Sequence, residues 1–198
     1  MLDHDLQRHA KEFHDALVNN RYEQTDEGVF FPAAKVMARG LYIHDVNGED
    51  VREDGNLVTD EGLTHLLAVA LGASNKIAQW YLALYSGAIS PAAGWNAANF
   101  AATANEIVSG TEGYSEGTRR LFQPGAAAAN TIDNTANKAA FTIVTANSLT
   151  VHGAVLVSDS GKGSTSGVLM SATRFSTPRV LQNTDIYNVG YRVVLTSA

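Results

Sequence analysis

The sequence predicts a mainly β protein: an antiparallel β-sandwich or jelly-roll-like domain carrying one packed α-helix, preceded by an N-terminal helical arm. Three observations predict it. From Arg119 onward, short β-prone runs (RLFQPG, KAAFTIVT, LTVHGAVLVS, GVLMSATRF, RVLQ and DIYNVGYRVVLT) recur at intervals near the roughly 8–12 residues of antiparallel sandwiches. The best-defined helical pattern before them, over 60–71, is the only strong one outside the arm, and the first third is set apart by charge. Residues 1–61 hold 14 Asp and Glu against 6 Lys and Arg, whereas 62–198 hold 6 against 8.

Residues 1–36 read as an arm. Leu2, Leu6, His9, Phe13 and Leu17 fall on one face of an amphipathic helix, with Asp3 and Asp5 suiting its positive first turn. The polar stretch after it ends in Phe30, Phe31 and Pro32, which reads as an extended connection with an apolar anchor. Residues 37–198 read as the β-rich domain. Met37 to Val46 alternates and runs into Asn47-Gly48, a strong hairpin-turn signal, so a hairpin is expected over 37–58. Thr59 can cap a helix over 60–71, with Asp60 and Glu61 in its first turn and Gly72 beyond its end. Its Leu63, Leu66, Leu67 and Leu71 recur at helical spacing and are expected to pack on the sheet containing Trp80 and Tyr81. The remaining strands are placed over 77–196, with a long Ala-, Asn- and Gly-rich loop after Tyr85 and a flexible loop at 158–167.

At 198 residues the chain suits one domain, or one domain with an appended arm. Hydrophobic residues make up 45% and charged ones 17%, enough apolar material for a core. A net charge of -6 provides no basic field for phosphates, so neither nucleic acid nor an anionic membrane surface is an expected partner. With no cysteine, disulfides, thiolate nucleophiles and cysteine-ligated zinc are excluded. The N-terminus has no apolar run of signal-peptide length, which leads us to expect synthesis and folding in the cytoplasm.

No catalytic, cofactor or metal site is expected. Gly161-Lys162 invites a phosphate-loop reading, but Leu156 stands where the first glycine is needed and Gly163 where Ser or Thr is. Thr165 occupies the serine position of a nucleophile elbow. His4, His9 and His14 step by five residues, turning about 140° each time at 3.6 residues per turn, so they cannot converge on one ion. In Asp45 to Asp50, Gly48 stands two positions too early for a calcium loop. Glu106, Glu112 and Glu116 could supply a glycosidase pair, although exposed loop acids are far commoner. Leu6, Phe13, Leu17, Phe30, Phe31 and Trp95 are the candidate interface residues: apolar or aromatic side chains on the arm or in the loop.

The order of parts from Ala38 to Thr196 carries a resemblance. A hairpin, then TDEGLTHLL with QWYLALYSG, then GAVLVSDSGKGSTSGVLMSATRF and a terminal DIYNVGYRVVLT together resemble a group of virion structural proteins of tailed bacteriophages. Residues 1–35 lie outside it. The resemblance implies a non-enzymatic, cofactor-free subunit at the particle surface, made in the host cytoplasm. Its expected partners are the major capsid protein and copies of itself in a homo-oligomer. A capsid decoration, or cement, protein is the first expectation. A tail or fibre adaptor or receptor-binding component, with 86–117 and 158–167 as recognition loops, is the second, and a virion polysaccharide-degrading enzyme the third.

Overall fold

The computed structural model describes residues 36–197, together with residues 14, 18, 23–25 and 28–30. The chain divides into two compact units, Met1–Met37 with Thr196–Ala198 and Ala38–Leu195. In the first, His14 and Val18 are helical and exposed. There β1 (Glu23–Thr25) pairs antiparallel with β2 (Gly28–Phe30), Glu23 opposite Phe30. A hairpin therefore stands within the stretch read as an extended connection; strands of three residues are too short to display alternation. Leu2, Leu6, His9, Phe13 and Leu17 of the predicted helix lie outside the described residues.

The larger unit is mainly β, with antiparallel sheets and one main helix in a sandwich-like arrangement, as predicted. Strands β3 (Val36–Val46) and β4 (Glu49–Gly55) form the expected hairpin. Asn47 and Gly48 turn it with φ of 56° and 84°, the two left-handed conformations that a type I′ turn needs. The hairpin ends earlier than the sequence suggested. β4 stops at Gly55, and β5 (Leu57–Val58) has crossed to the other sheet, where it pairs with β12 (Leu169–Leu181). Asn56 fixes the crossing, because its N–H donates to Gly40 O (3.2 Å) and its Nδ2 to Tyr191 Oη (2.7 Å).

Helix α1 (Asp60–Ala70) starts where predicted, with Thr59 Oγ1 accepting from Gly62 N at 3.0 Å. After it come β6 (Trp80–Tyr85), a short helix α2 (Phe100–Ala104), β7 (Gly113–Tyr114), β8 (Arg120–Phe122) and β9 (Thr131–Asp133). β10 (Ala139–Val144), β11 (Leu149–Val157), β12 and β13 (Ile186–Ser197) complete the chain. One sheet has the order β4-β3-β13-β10-β7, with β9 also on β13, and the other β5-β12-β11-β6-β8.

Between the sheets lies a core that includes Tyr42, Leu82, Leu84, Phe141, Ile143, Leu156, Phe175, Tyr187 and Tyr191. β10 alternates buried and half-buried along its length, as a strand with one face on a core must. The middle of the second sheet is buried on both faces. Ala83, Tyr85, Val155 and Val157 point away from the first core into a second one, closed by Trp95, Ala97, Phe100 and Ala104. This explains why LALY and GAVLV are uninterrupted apolar runs. β12 was legible only as two runs. Its register against β11 jumps from Val151↔Arg179 to Gly153↔Arg174, so residues 175–178 bulge, and Pro178, which cannot join a ladder, sits in the bulge.

Candidate interaction surface

Helix α1 sits on the sheet by its first turn, not by its leucines. Gly62 is its one buried residue, and a Cβ there would come within 2.3 Å of Met170 O, so only glycine permits the approach. Polar contacts pin the same end: Thr59 N donates to Met170 O (3.1 Å), and Glu61 Oε2 accepts from Ala97 N (2.9 Å) and Leu169 N (2.6 Å). The expectation that the leucines pack on the sheet is therefore overturned. Leu63, Leu67 and Leu71, spaced by four on one helix face, are 42%, 62% and 86% exposed, and Leu66 is 37% exposed.

Leu66 links this stripe to an apolar groove of about 450 Å³, within the roughly 300–1,000 Å³ of ligand and side-chain pockets. Trp80, Phe122, Met170 and Tyr191 line its walls, and Ala38 of β3 and Leu195 of β13 stand at it. Lys76 is the one charged lining residue among the described residues. His65 of α1 meets the Trp80 ring edge-on at 5.6 Å, which ties the helix to the wall. Full burial of one leucine contributes about 1.5–3 kcal/mol, so a partner covering the stripe gains substantially before association costs. One consequence is testable on the isolated chain: Leu67→Ala is expected to change the urea unfolding free energy by no more than about 0.5 kcal/mol, as for other exposed positions. A loss of about 2 kcal/mol or more would place Leu67 in a core after all.

Of the interface residues expected from sequence, Leu6, Phe13, Leu17 and Phe31 lie outside the described residues, and Phe30 is described only as the end of β2. Trp95 is a correction. It is 5% exposed, with its ring 6.0 Å from that of Tyr85, because the outer face of the second sheet needs a cover and residues 95–104 supply it. The loop at 158–167 is another correction, being anchored and not free. Arg119 donates to Asp159 O (2.9 Å) and Ser164 O (3.0 Å), and Glu106 Oε2 accepts from Gly163 N (3.0 Å). Lys162 lies 3.5 Å from the Tyr114 ring centroid and donates to Tyr114 O at 2.8 Å. Burial lowers the pKa of that lysine, while Glu116 and Glu106 pull the other way.

The acids weighed for glycoside chemistry are engaged within the fold. Glu106 pairs with Arg119 through two 2.8 Å bonds. Glu112 accepts from Thr145 Oγ1 (2.7 Å) and Ala146 N (3.0 Å), and Glu116 from Thr142 N and Oγ1. Sequence reading passed over one buried polar cluster entirely. His44, with no exposed surface, shares 2.9 Å with Asp54 through Nε2, while its Nδ1 faces Arg179 Nε at 3.0 Å and Tyr187 Oη at 2.8 Å. Arg179 Nε can only donate, so Nδ1 accepts and Nε2 carries the proton given to Asp54. Burial, then the Arg179 charge, pulls the His44 pKa below its ordinary value, against the Asp54 hydrogen bond. Among the described residues no three His, Asp or Glu side chains are placed to hold a metal ion, and no helix is long and apolar enough to cross a membrane.

These features define a class: a two-sheet antiparallel β protein whose buried Arg119–Glu106 pair is met within the fold and which exposes an apolar helix face beside an apolar groove. No family model matches the chain, and no curated protein is significantly similar to it in sequence.

Proposed function

We propose that this chain is a structural protein of a tailed-bacteriophage virion, a capsid decoration (cement) protein that stabilises the head without catalysis or a cofactor. The observation that carries the reading is the exposed leucine stripe of α1 beside the apolar groove. A lone domain in water has every reason to hide such a face, and a subunit that works by contact has reason to keep it. The resemblance over Ala38 to Thr196 points to the same setting. The partners in this reading are the major capsid protein and copies of the chain itself, at the particle surface, with no part for nucleic acid or membrane. Many identical weak contacts add up to firm attachment on a lattice. The tail-adaptor alternative loses support because residues 95–104 of one expected recognition loop cover the second sheet and the other loop is anchored by Arg119. The polysaccharide-degrading alternative loses support because Glu106, Glu112 and Glu116 are already committed.

The test uses particles stripped of the protein. Purified chain is expected to rebind and to raise their resistance to heat and osmotic shock, and Leu67→Ser with Leu71→Ser is expected to fold yet bind at least tenfold more weakly. Stripped particles as robust as intact ones would sink the cement reading, and sugar release from host polysaccharide by the isolated chain would overturn the non-enzymatic one.

A further inference from the structure

We propose that Asn47 is a site of spontaneous deamidation that the fold holds in check, so that its conversion records the opening of the turns at this end of the domain. Asn47-Gly48 is the chain's one Asn-Gly pair, and both residues are exposed. The chemistry needs only water and the chain itself. Gly48 N, having given its proton to solvent base, forms a bond to Asn47 Cγ; the Cγ–Nδ2 bond breaks, and Nδ2 leaves as ammonia with a proton from water. Water then opens the cyclic imide at either carbonyl, giving aspartate or isoaspartate. Glycine favours the step because no Cβ shields its nitrogen, and among the described residues nothing lies within 4 Å of where that Cβ would stand.

Two carboxylates oppose the reaction. The Gly48 N–H donates to Asp45 Oδ1 at 2.8 Å. Burial pushes the Asp45 carboxyl up, but hydrogen bonds from Lys138, Asn188 and Gly48 outweigh this and hold it below its ordinary value, so an anion keeps the proton that must leave. Asn47 is occupied at both ends of its amide: Nδ2 donates to Asp185 Oδ1 (3.0 Å), and Oδ1 accepts from Ile186 N (2.8 Å). The donor at Oδ1 polarises the amide toward attack, but Cγ must still turn onto Gly48 N, which breaks the bonds that hold the amide toward β13. Asn47 N also donates to Ile186 O at 2.8 Å, so the β3–β4 turn is laced to the turn before β13. A converted side chain no longer donates to Asp185 and sets a like charge against it. The reaction thus requires the turns to part, and its product keeps them apart.

The test incubates the full-length chain at neutral pH, folded or in urea, and then digests it. Conversion is read by peptide mass and by isoaspartyl methylation, with the exposed Asn147-Ser148 as internal reference. The ratio of Asn47 to Asn147 conversion is expected to be at least tenfold lower in the folded chain, a protection equal to about 1.4 kcal/mol of local opening. Asp45→Asn and Asp185→Ala are each expected to raise the folded ratio at least threefold. Should Asp45→Asn fail to fold, since it strands Lys138, Asp185→Ala decides. Equal ratios in the folded and unfolded wild type overturn the proposal, as does a folded Asp185→Ala chain that keeps the wild-type ratio. Asn47→Asp is expected to lower the urea midpoint, and an unchanged midpoint overturns the claim that conversion drives the turns apart.

Discussion

Arg119→Met is expected to destabilise the larger unit by about 3–5 kcal/mol in urea unfolding, the usual cost of removing one partner from a buried ion pair. Arg119 and Glu106 have side chains 0% and 1% exposed. Their attraction offsets the cost of taking two charges out of water only because the remaining valences are used as well. Arg119 satisfies two loop carbonyls, lies 5.1 Å from the Phe100 ring centroid, and leaves Glu106 free to accept from Gly163 N. Methionine keeps much of the volume but strands a buried carboxylate and leaves two half-buried loop carbonyls without their donor. Glu106→Leu combined with Arg119→Met removes both charges and is expected to recover a good part of the loss. A single-mutant cost under about 1 kcal/mol, the range of exposed pairs, would show that water reaches the site.

The same pair explains why the segments richest in turn residues are not free. Arg119 precedes β8, Glu106 follows α2, and Asp159, Gly163 and Ser164 belong to the connection between β11 and β12, so one guanidinium fastens three parts of the chain. Composition cannot reveal this, since Gly and Ser report conformational freedom before contacts are made. The partners lie 13 to 45 residues from Arg119.

What could be read from the sequence was what local chemistry decides. Asn47-Gly48 names its own turn, and Thr59, Asp60 and Glu61 name the helix start, because the groups that satisfy those backbones are neighbours in sequence. Periodicity likewise showed that Leu63, Leu67 and Leu71 share a face. It could not say whether the sheet or a partner covers that face, and the deciding residue was Gly62, whose missing side chain sets the helix on Met170 at one end. Trp95 misled for a related reason: an aromatic in an Ala- and Asn-rich loop looks like a surface anchor until the sheet is known to need covering on both sides. The groove was invisible because its walls come from β6, β8, β12 and β13. Phe30 and Phe31 stood out as anchors without any sign of what they anchor to.

The His44 cluster makes the second large prediction, an acid-dependent loss of stability that begins before the carboxylates titrate. Its partners come from β4, β12 and β13, so it ties the two sheets across the bulge in β12. Arg179 also pairs with the side chain of Asp50, which Arg52 holds from the other side, and Ser176 N donates to Asp54 at 2.7 Å. A proton added to Nδ1 would confront the N–H of Arg179 and put two positive charges together in the interior. The folded-state pKa of His44 thus lies below its ordinary 6.5, and the unfolded chain binds the proton more readily. Its contribution is complete above about 6.5 and is lost as pH falls through that value toward the lower folded one. Asp54 comes later. Burial pushes its carboxyl up, but hydrogen bonds from His44 and Ser176 outweigh this and hold it below 3.8, so its contribution persists until pH falls through that lower range. Urea midpoints measured from pH 7.5 to 5 are expected to fall in the wild type. His44→Gln is expected to be weaker at pH 7.5 but nearly flat over the same interval, so that the two curves approach each other on acidification. Parallel curves would mean that other groups carry the acid sensitivity, and that His44 is protonated alike in the folded and unfolded chain.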